Sequence, residues 1–171
     1  MVTNTQTAEV GTDRKPPAPS AWVTRHLSGA PANEQIADIA CGAGRHTRYA
    51  LNAGYSVIAI DRDTSGLADL SDHSRLTAIN EDLEAGNRFS LAPASMGCVI
   101  VTNYLFRPII PDLVACLKPN GILIYETFAV GQERFGRPKN PDFLLKPGEL
   151  IDATRPALIP IEYQHTQLSD P

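Results

Sequence analysis

Asp38, Gly42, Gly44, Asp61 and Asp82 are the residues whose types and spacing first suggest chemistry. Four of them fall in "IADIACGAGRHTRYALNAGYSVIAIDRD", from Ile36 to Asp63, and the fifth in "NEDLE". In the longer stretch an acid and two glycines stand between an apolar run and a helical pattern, and a second acid closes the next apolar run. Glycines directly after a strand let backbone approach a phosphate-bearing or nucleoside-bearing ligand without Cβ clashes. Charge and glycine count then separate the ligand classes.

A dinucleotide site carries G-x-G-x-x-G, the third glycine allowing helix and strand to pack closely. Here Gly42 and Gly44 are followed by Thr47, so that glycine is absent. A phosphate-binding loop of the G-x-x-x-x-G-K-[ST] type needs a lysine, and none lies near. Asp38 stands before the glycines instead, where a carboxylate repels a pyrophosphate and welcomes a cation. S-adenosylmethionine carries an ammonium, a sulfonium, a ribose and an adenine, and the acids suit it. Asp38 can engage the ammonium directly or through water. Asp61 can accept both ribose hydroxyls, and Asp82 can accept from the adenine N6 amino group. Ala40, Cys41, Gly42 and Gly44 supply the turn, and Arg62, Leu83 and Asn103 lie on the same rim. Together they form the expected cofactor-binding set. Taken singly, Asp38 could be a helix-dipole partner and Asp61 a turn residue. Three acids at three successive strand ends favour a site.

These residues need a scaffold, and the pattern of the chain supplies one. "QIADIA", "YSVIAID", "RLTAIN", "GCVIVTN", "ILIYETF" and "ALIPIEYQ" read as six strands. Between them, "GRHTRYALNAG" reads as a helix closed by Gly54, "TSGLADLSD" as a short helix opened by Thr64, and "IIPDLVACLKPNG" as a helix stopping at Pro119 and Gly121. "SAWVTRHL" is a further short helix with Ser20 as its N-cap, and "KPGELIDAT" another late in the chain. Nearly all-apolar strands alternating with helices predict a doubly wound α/β fold, its mostly parallel sheet covered on both faces. Ligands collect at the carboxyl ends of such strands, which places Asp38–Gly44, Asp61, Asp82, Asn103 and Thr127 along one rim. Residues 1–19, ending in KPPAP, read as a flexible arm, and 20–171 as one domain.

Composition narrows the class further. With 171 residues the chain is long enough for one domain with a real core, and 43% hydrophobic with 20% charged residues is ordinary for a globular protein. The net charge of -4 argues against a broad nucleic-acid surface. No apolar run approaches the roughly 18 residues that span a bilayer. The polar start, Met1 to Lys15, lacks the apolar core of a signal peptide. A cytoplasmic protein is expected. Cys41, Cys98 and Cys116 are too scattered for a disulfide framework or a zinc site, and no metal is expected. Cys41, in the glycine loop, reads as a small packing residue with no paired histidine.

"DIACGAG", "AIDRD", "EDLE" and "LKPNGILIYETF" resemble successive motifs of class I S-adenosylmethionine-dependent methyltransferases, over residues from about 20 to 165. The resemblance implies a Rossmann-like fold, S-adenosylmethionine as cofactor and methyl transfer. Ala40 replaces the first glycine of the usual E/D-x-G-x-G-x-G, a change that costs little if its φ stays negative. "YETFAVGQERFGRPKNPDFLLKPGEL" is similar to a bacterial subgroup whose nearest relatives look like the tellurite-resistance (chalcogen oxyanion) methyltransferases.

The acceptor side is less defined, because methyl transfer needs alignment and exclusion of water more than an acid–base set. The chain lacks the [DNS]-P-P-[YFW] of enzymes that methylate adenine N6 or glutamine amides, having Asn103-Tyr104-Leu105-Phe106 there. Tyr104 either packs on adenine or acceptor, or is core. Arg107 either holds an anionic group or opens a helix. Glu126 either acts as a base or points at a buried arginine. In "GQERFGRPKNPDF", Arg134, Arg137 and Lys139 either close over an anion or keep a surface loop soluble. A small, anionic acceptor is expected. The rival readings are a non-catalytic cofactor-binding module, a methyltransferase acting on RNA or protein, and a nicotinamide-dependent oxidoreductase, the last disfavoured by Asp38. The family's sheet has a final antiparallel strand between the fifth and sixth. Only "HTQLSDP" follows the expected sixth strand, so the fifth should present an open edge, where a homodimer could form.

Overall fold

The computed structural model describes residues 17–86 and 89–168. Of the arm expected over 1–19, residues 1–16 lie outside them. Five strands form one sheet: β1 (Gln35–Ile39), β2 (Ser56–Asp61), β3 (Leu76–Asn80), β4 (Met96–Thr102) and β5 (Leu117–Glu126), in the order β3-β2-β1-β4-β5. All four pairings are parallel, so every strand ends on the same rim. Burial follows position in the sheet. The central strands β1 and β4 are buried almost throughout, whereas outer β3 has only half-buried and exposed residues. That contrast is the signature of a parallel sheet covered on both faces.

The helices α1 (Ala21–His26), α2 (Arg45–Asn52), α3 (Ile110–Ala115) and α4 (Glu149–Thr154) are short. On one face, Ile36, Val57, Cys98, Ile100 and Ile124 pack with Val23 of α1, with Leu27 in the 3-10 turn after it, and with Ala50 and Leu51 of α2. On the other, Ala37, Ile39, Val99 and Val101 pack with Leu113 and Cys116. Ser20 caps α1 as expected, its hydroxyl accepting from the Val23 N–H at 3.0 Å.

Three elements differ from the sequence reading. The segment after β2 is a 3-10 helix, Ser65–Leu70, and Thr64 does not cap it. Thr64 instead donates through both its N–H and its hydroxyl to Asn80 Oδ1, tying the ends of β2 and β3 together. The third major helix stops at Ala115, well before Pro119, because strand pairing resumes at Leu117 opposite Met96. No sixth strand forms among the described residues. Pro156 and Pro160 remove two backbone donors, and Ile159 and Ile161 are left 89% and 84% exposed with no neighbouring strand to cover them. The segment is held by side chains instead: Arg25 pairs with Glu162 at 3.2 Å, and the Gly148 N–H donates to the Tyr163 hydroxyl. Beyond β5 the sheet has an open edge among the described residues.

Candidate functional site

The rim is built from the turns that leave β1 and β2. Asp38 lies one residue before the end of β1, inside its buried run, and is 1% exposed. Its Oδ2 accepts from the Thr47 hydroxyl at 2.6 Å, while Oδ1 is buried with no partner. Burial pushes its pKa up to about 6, against the lowering by Thr47 and Arg45. A carboxylate left half-satisfied in this way favours a cationic partner.

Asp61, at the end of β2, braces the glycine turn: Oδ2 accepts from the Gly42 N–H at 2.8 Å and Oδ1 from the Asp63 N–H at 3.0 Å. Each oxygen keeps a further lone pair for an external hydroxyl. Asp82 closes a similar turn after β3, accepting from the Glu84 N–H at 3.0 Å. Arg62 is exposed beside Asp61, and Leu83 half-buried beside Asp82. The first three acids thus stand at successive strand ends, as expected.

The turn is locked by the 3-10 helix, a feature that the motif alone did not reveal. Gly44 has φ +75, and a Cβ there would sit 2.1 Å from Leu67 Cδ2. Reciprocally, a Cβ on Gly66 would lie 2.8 Å from Ala43 Cα. Gly66 therefore supplies, from another segment, close packing that a third glycine in the loop would otherwise provide. Arg48 seals the contact, bonding Asp69 through both terminal nitrogens at 2.6 Å and the Gly66 carbonyl at 3.0 Å. Ala40 corrects an expectation. Its φ is +52, not negative, so its Cβ bears a strain of about 1–2 kcal/mol that glycine would escape.

Cys41 is buried, and burial with the nearby Asp38 and Asp61 carboxylates pushes its thiol up to about 12, which suits packing and not attack. His46 has a structural role that no sequence motif signals. It is 2% exposed, its Nε2 accepts from the Ser20 N–H at 3.1 Å, and Nδ1 lies 3.2 Å from the Thr102 hydroxyl. With Nε2 an acceptor, the proton sits on Nδ1, and burial lowers the pKa to about 4. A neutral histidine thus joins the start of α1 to the end of β4.

The acceptor candidates are divided by the structure. A cleft of about 650 Å³ opens beside the rim, between the turns after β4 and β5 and the loop 129–148. Asn103, Tyr104, Arg137 and Lys139 line it, with Glu84 from the turn after β3. Of the expected cofactor set only Asn103 is shared, so the cleft lies along the rim and does not include the glycine turn. Asn103 has φ +54, and its N–H donates to the Glu126 carbonyl. The Tyr104 hydroxyl is buried without a partner, and burial and nearby Glu84 raise its pKa.

Arg107, Arg134 and Glu126 are not part of this cleft. Arg107 donates to Glu149 Oε1 at 2.5 Å and Oε2 at 3.2 Å, and to the Asp142 and Leu144 carbonyls. It opens a 3-10 helix, Arg107–Ile109, which was one of its two expected readings, and its guanidinium is spent as a strut under the loop. Arg134 is exposed on a loop whose base is pinned by bonds between Leu145 and Phe128 and Val130. Glu126 meets no arginine among the described residues, and its Oε2 is buried without a partner.

No family model matches the sequence, and no curated protein matches it. Solved structures do. An S-adenosylmethionine-dependent methyltransferase from Methanosarcina mazei superposes with a TM-score of 0.54 at 18% identity, over 68% of this chain and 61% of that one. One from Mesorhizobium loti gives 0.53 at 21% identity, over 61% and 51%. The glycopeptide N-methyltransferase MtfA gives 0.51 at 22% identity, over 68% and 56%. The chain spans about half the length of the first of the solved structures that it matches. At this level of identity the likeness concerns the fold. This chain has the Rossmann-like fold that those methyltransferases share.

Proposed function

We propose that the chain binds S-adenosylmethionine on this rim and transfers its methyl group to a small anionic molecule in the adjoining cleft. The observation that carries the reading is the pairing of Asp61 with the Gly42 N–H beside a buried, half-satisfied Asp38. The residues fit the cofactor. Asp38 offers its unpartnered oxygen to the ammonium, which also favours ionisation of a carboxyl that burial holds back to about pH 6. Asp61 accepts the ribose hydroxyls, and Asp82 with Leu83 borders the adenine.

When bound, the cofactor supplies a methyl group on a good leaving group, a sulfonium that departs as a thioether. The chain's own part is to orient and to exclude water. Asn103, shared between rim and cleft, stands where the two ligands would meet, and Arg137 and Lys139 hold the acceptor's negative charge. The open outer edge of β5 is proposed as a contact between two copies of the chain, tested by its mass in solution with and without a proline at Leu123.

The direct test is calorimetric titration with S-adenosylhomocysteine, beside NADH and an Asp61→Ala variant. Charge-assisted hydrogen bonds of about 1.5–3 kcal/mol predict a 10- to 100-fold loss of affinity in the variant. Binding of NADH in place of the homocysteine compound would contradict the reading.

A further inference from the structure

The cleft is larger and more apolar than a bare oxyanion requires. Its volume of about 650 Å³ lies in the range of sites for organic ligands, which is about 300–1,000 Å³. Leu105, Phe128, Pro138 and Phe143 wall it, and Phe143 is 45% exposed although large and apolar. Its charges come from opposite sides of the sheet order. Glu84 enters from the turn after β3, whereas Arg137 and Lys139 enter from the loop after β5.

Neither cation makes a side-chain hydrogen bond or an ion pair among the described residues, unlike Arg107 at the base of the same loop. The loop that carries them is nevertheless anchored. Gln132 Nε2 donates to the Arg137 carbonyl, Asn140 Oδ1 accepts from the Asp142 N–H, and Leu144 and Leu145 are buried. The cations are therefore held near an apolar wall with their donors unspent.

We infer that the acceptor is an aromatic carboxylate: a flat apolar body between Phe128 and Phe143, with its carboxylate at Arg137 and Lys139. This rests on the methyl-transfer reading above and separates it from transfer to an inorganic oxyanion. A flat ring matches the aromatic walls at little entropic cost, and a planar carboxylate matches the fork of a guanidinium. A selenite or tellurite ion would use the cations and leave the apolar walls wet.

The test is binding of 4-hydroxybenzoate, its neutral analogue 4-hydroxybenzyl alcohol, and selenite to the whole chain. Binding is followed by ligand-observed NMR with and without S-adenosylhomocysteine. The benzoate should bind at millimolar or tighter concentration, and the alcohol at least about tenfold more weakly. Arg137→Ala with Lys139→Ala should abolish the preference for the benzoate, and Arg134→Ala should leave it intact. Absence of benzoate binding, equal binding of the alcohol, selenite binding that outcompetes the benzoate, or an unaffected double variant would overturn the assignment. If the benzoate binds but S-adenosylhomocysteine does not, the cleft assignment stands and the methyl-transfer reading fails.

Discussion

The two halves of the rim are built on different principles. On the side of β1, β2 and β3, each acid sits at or just beyond a strand end, where backbone N–H groups or a neighbouring hydroxyl fix its carboxylate. On the side of β4 and β5, polar groups reach the site from a long loop held at its base by Arg107 and by main-chain bonds of Leu145. The first half is preorganised by local geometry and tolerates little change. The second is positioned by contacts far apart in sequence, and its tips carry unspent charge. A half of constant geometry suits a constant ligand, and a loop-built half suits one that varies among proteins of this fold.

The sharpest way to break this contrast is to add one methyl group to each half. Gly44→Ala places a Cβ against Leu67 in a left-handed conformation and should cost about 2–4 kcal/mol of stability by chemical denaturation. Gly131→Ala, with φ +111 but open space around it, should cost about 1–2 kcal/mol. Equal losses would remove the distinction between the halves.

Two buried titrating groups test the first half through pH. His46, lowered to about 4, is bound by fewer protons folded than unfolded, so its contribution is present above about 6.5 and lost as pH falls toward 4. Asp38 is raised to about 6, so its carboxylate penalises the folded state above that pH, and the penalty is relieved as pH falls toward 3.8. Each effect is on the order of 3 kcal/mol across its window, and the two oppose. Asp38→Asn should therefore lose stability between pH 6.5 and 4, and His46→Gln should gain it between pH 6 and 3.8. Denaturant midpoints measured across that range would show the slopes diverging. Parallel slopes would contradict the buried placement of one group.

Smaller effects sharpen the contrast. Arg107→Ala should cost about 1–2 kcal/mol, since the pair is partly exposed, and should accelerate hydrogen exchange over 142–149 while sparing the glycine turn. Ala40→Gly should stabilise the folded chain by about 0.5–1 kcal/mol by relieving a positive φ, seen as a raised denaturant midpoint. A loss on that substitution would mean that the Ala40 methyl packs usefully.

The same contrast explains what the sequence could reveal. Asp38, Gly42, Gly44, Asp61 and Asp82 lie at ends of apolar runs, where alternation and turn chemistry fix position locally. The five paired strands were legible for that reason. Gly66 and His46 escaped because their partners, Ala43 and the Ser20 N–H, are 23 and 26 residues away. Arg107 misled because an arginine at a strand end looks the same whether its partner is a ligand or Glu149, 42 residues on. The sixth strand failed because "ALIPIEYQ" has apolar alternation but no neighbour among the described residues. Pairing, unlike periodicity, is not written in the segment itself.

The most direct test is hydrogen exchange of the whole chain with and without saturating S-adenosylhomocysteine, resolved by peptide. Slowed exchange is expected at 40–44, 61–65 and 82–86, with the loop 132–143 little changed until an acceptor is added. Protection confined to 132–143, or absent from the glycine turn while the chain remains folded, would contradict the cofactor site proposed on this rim.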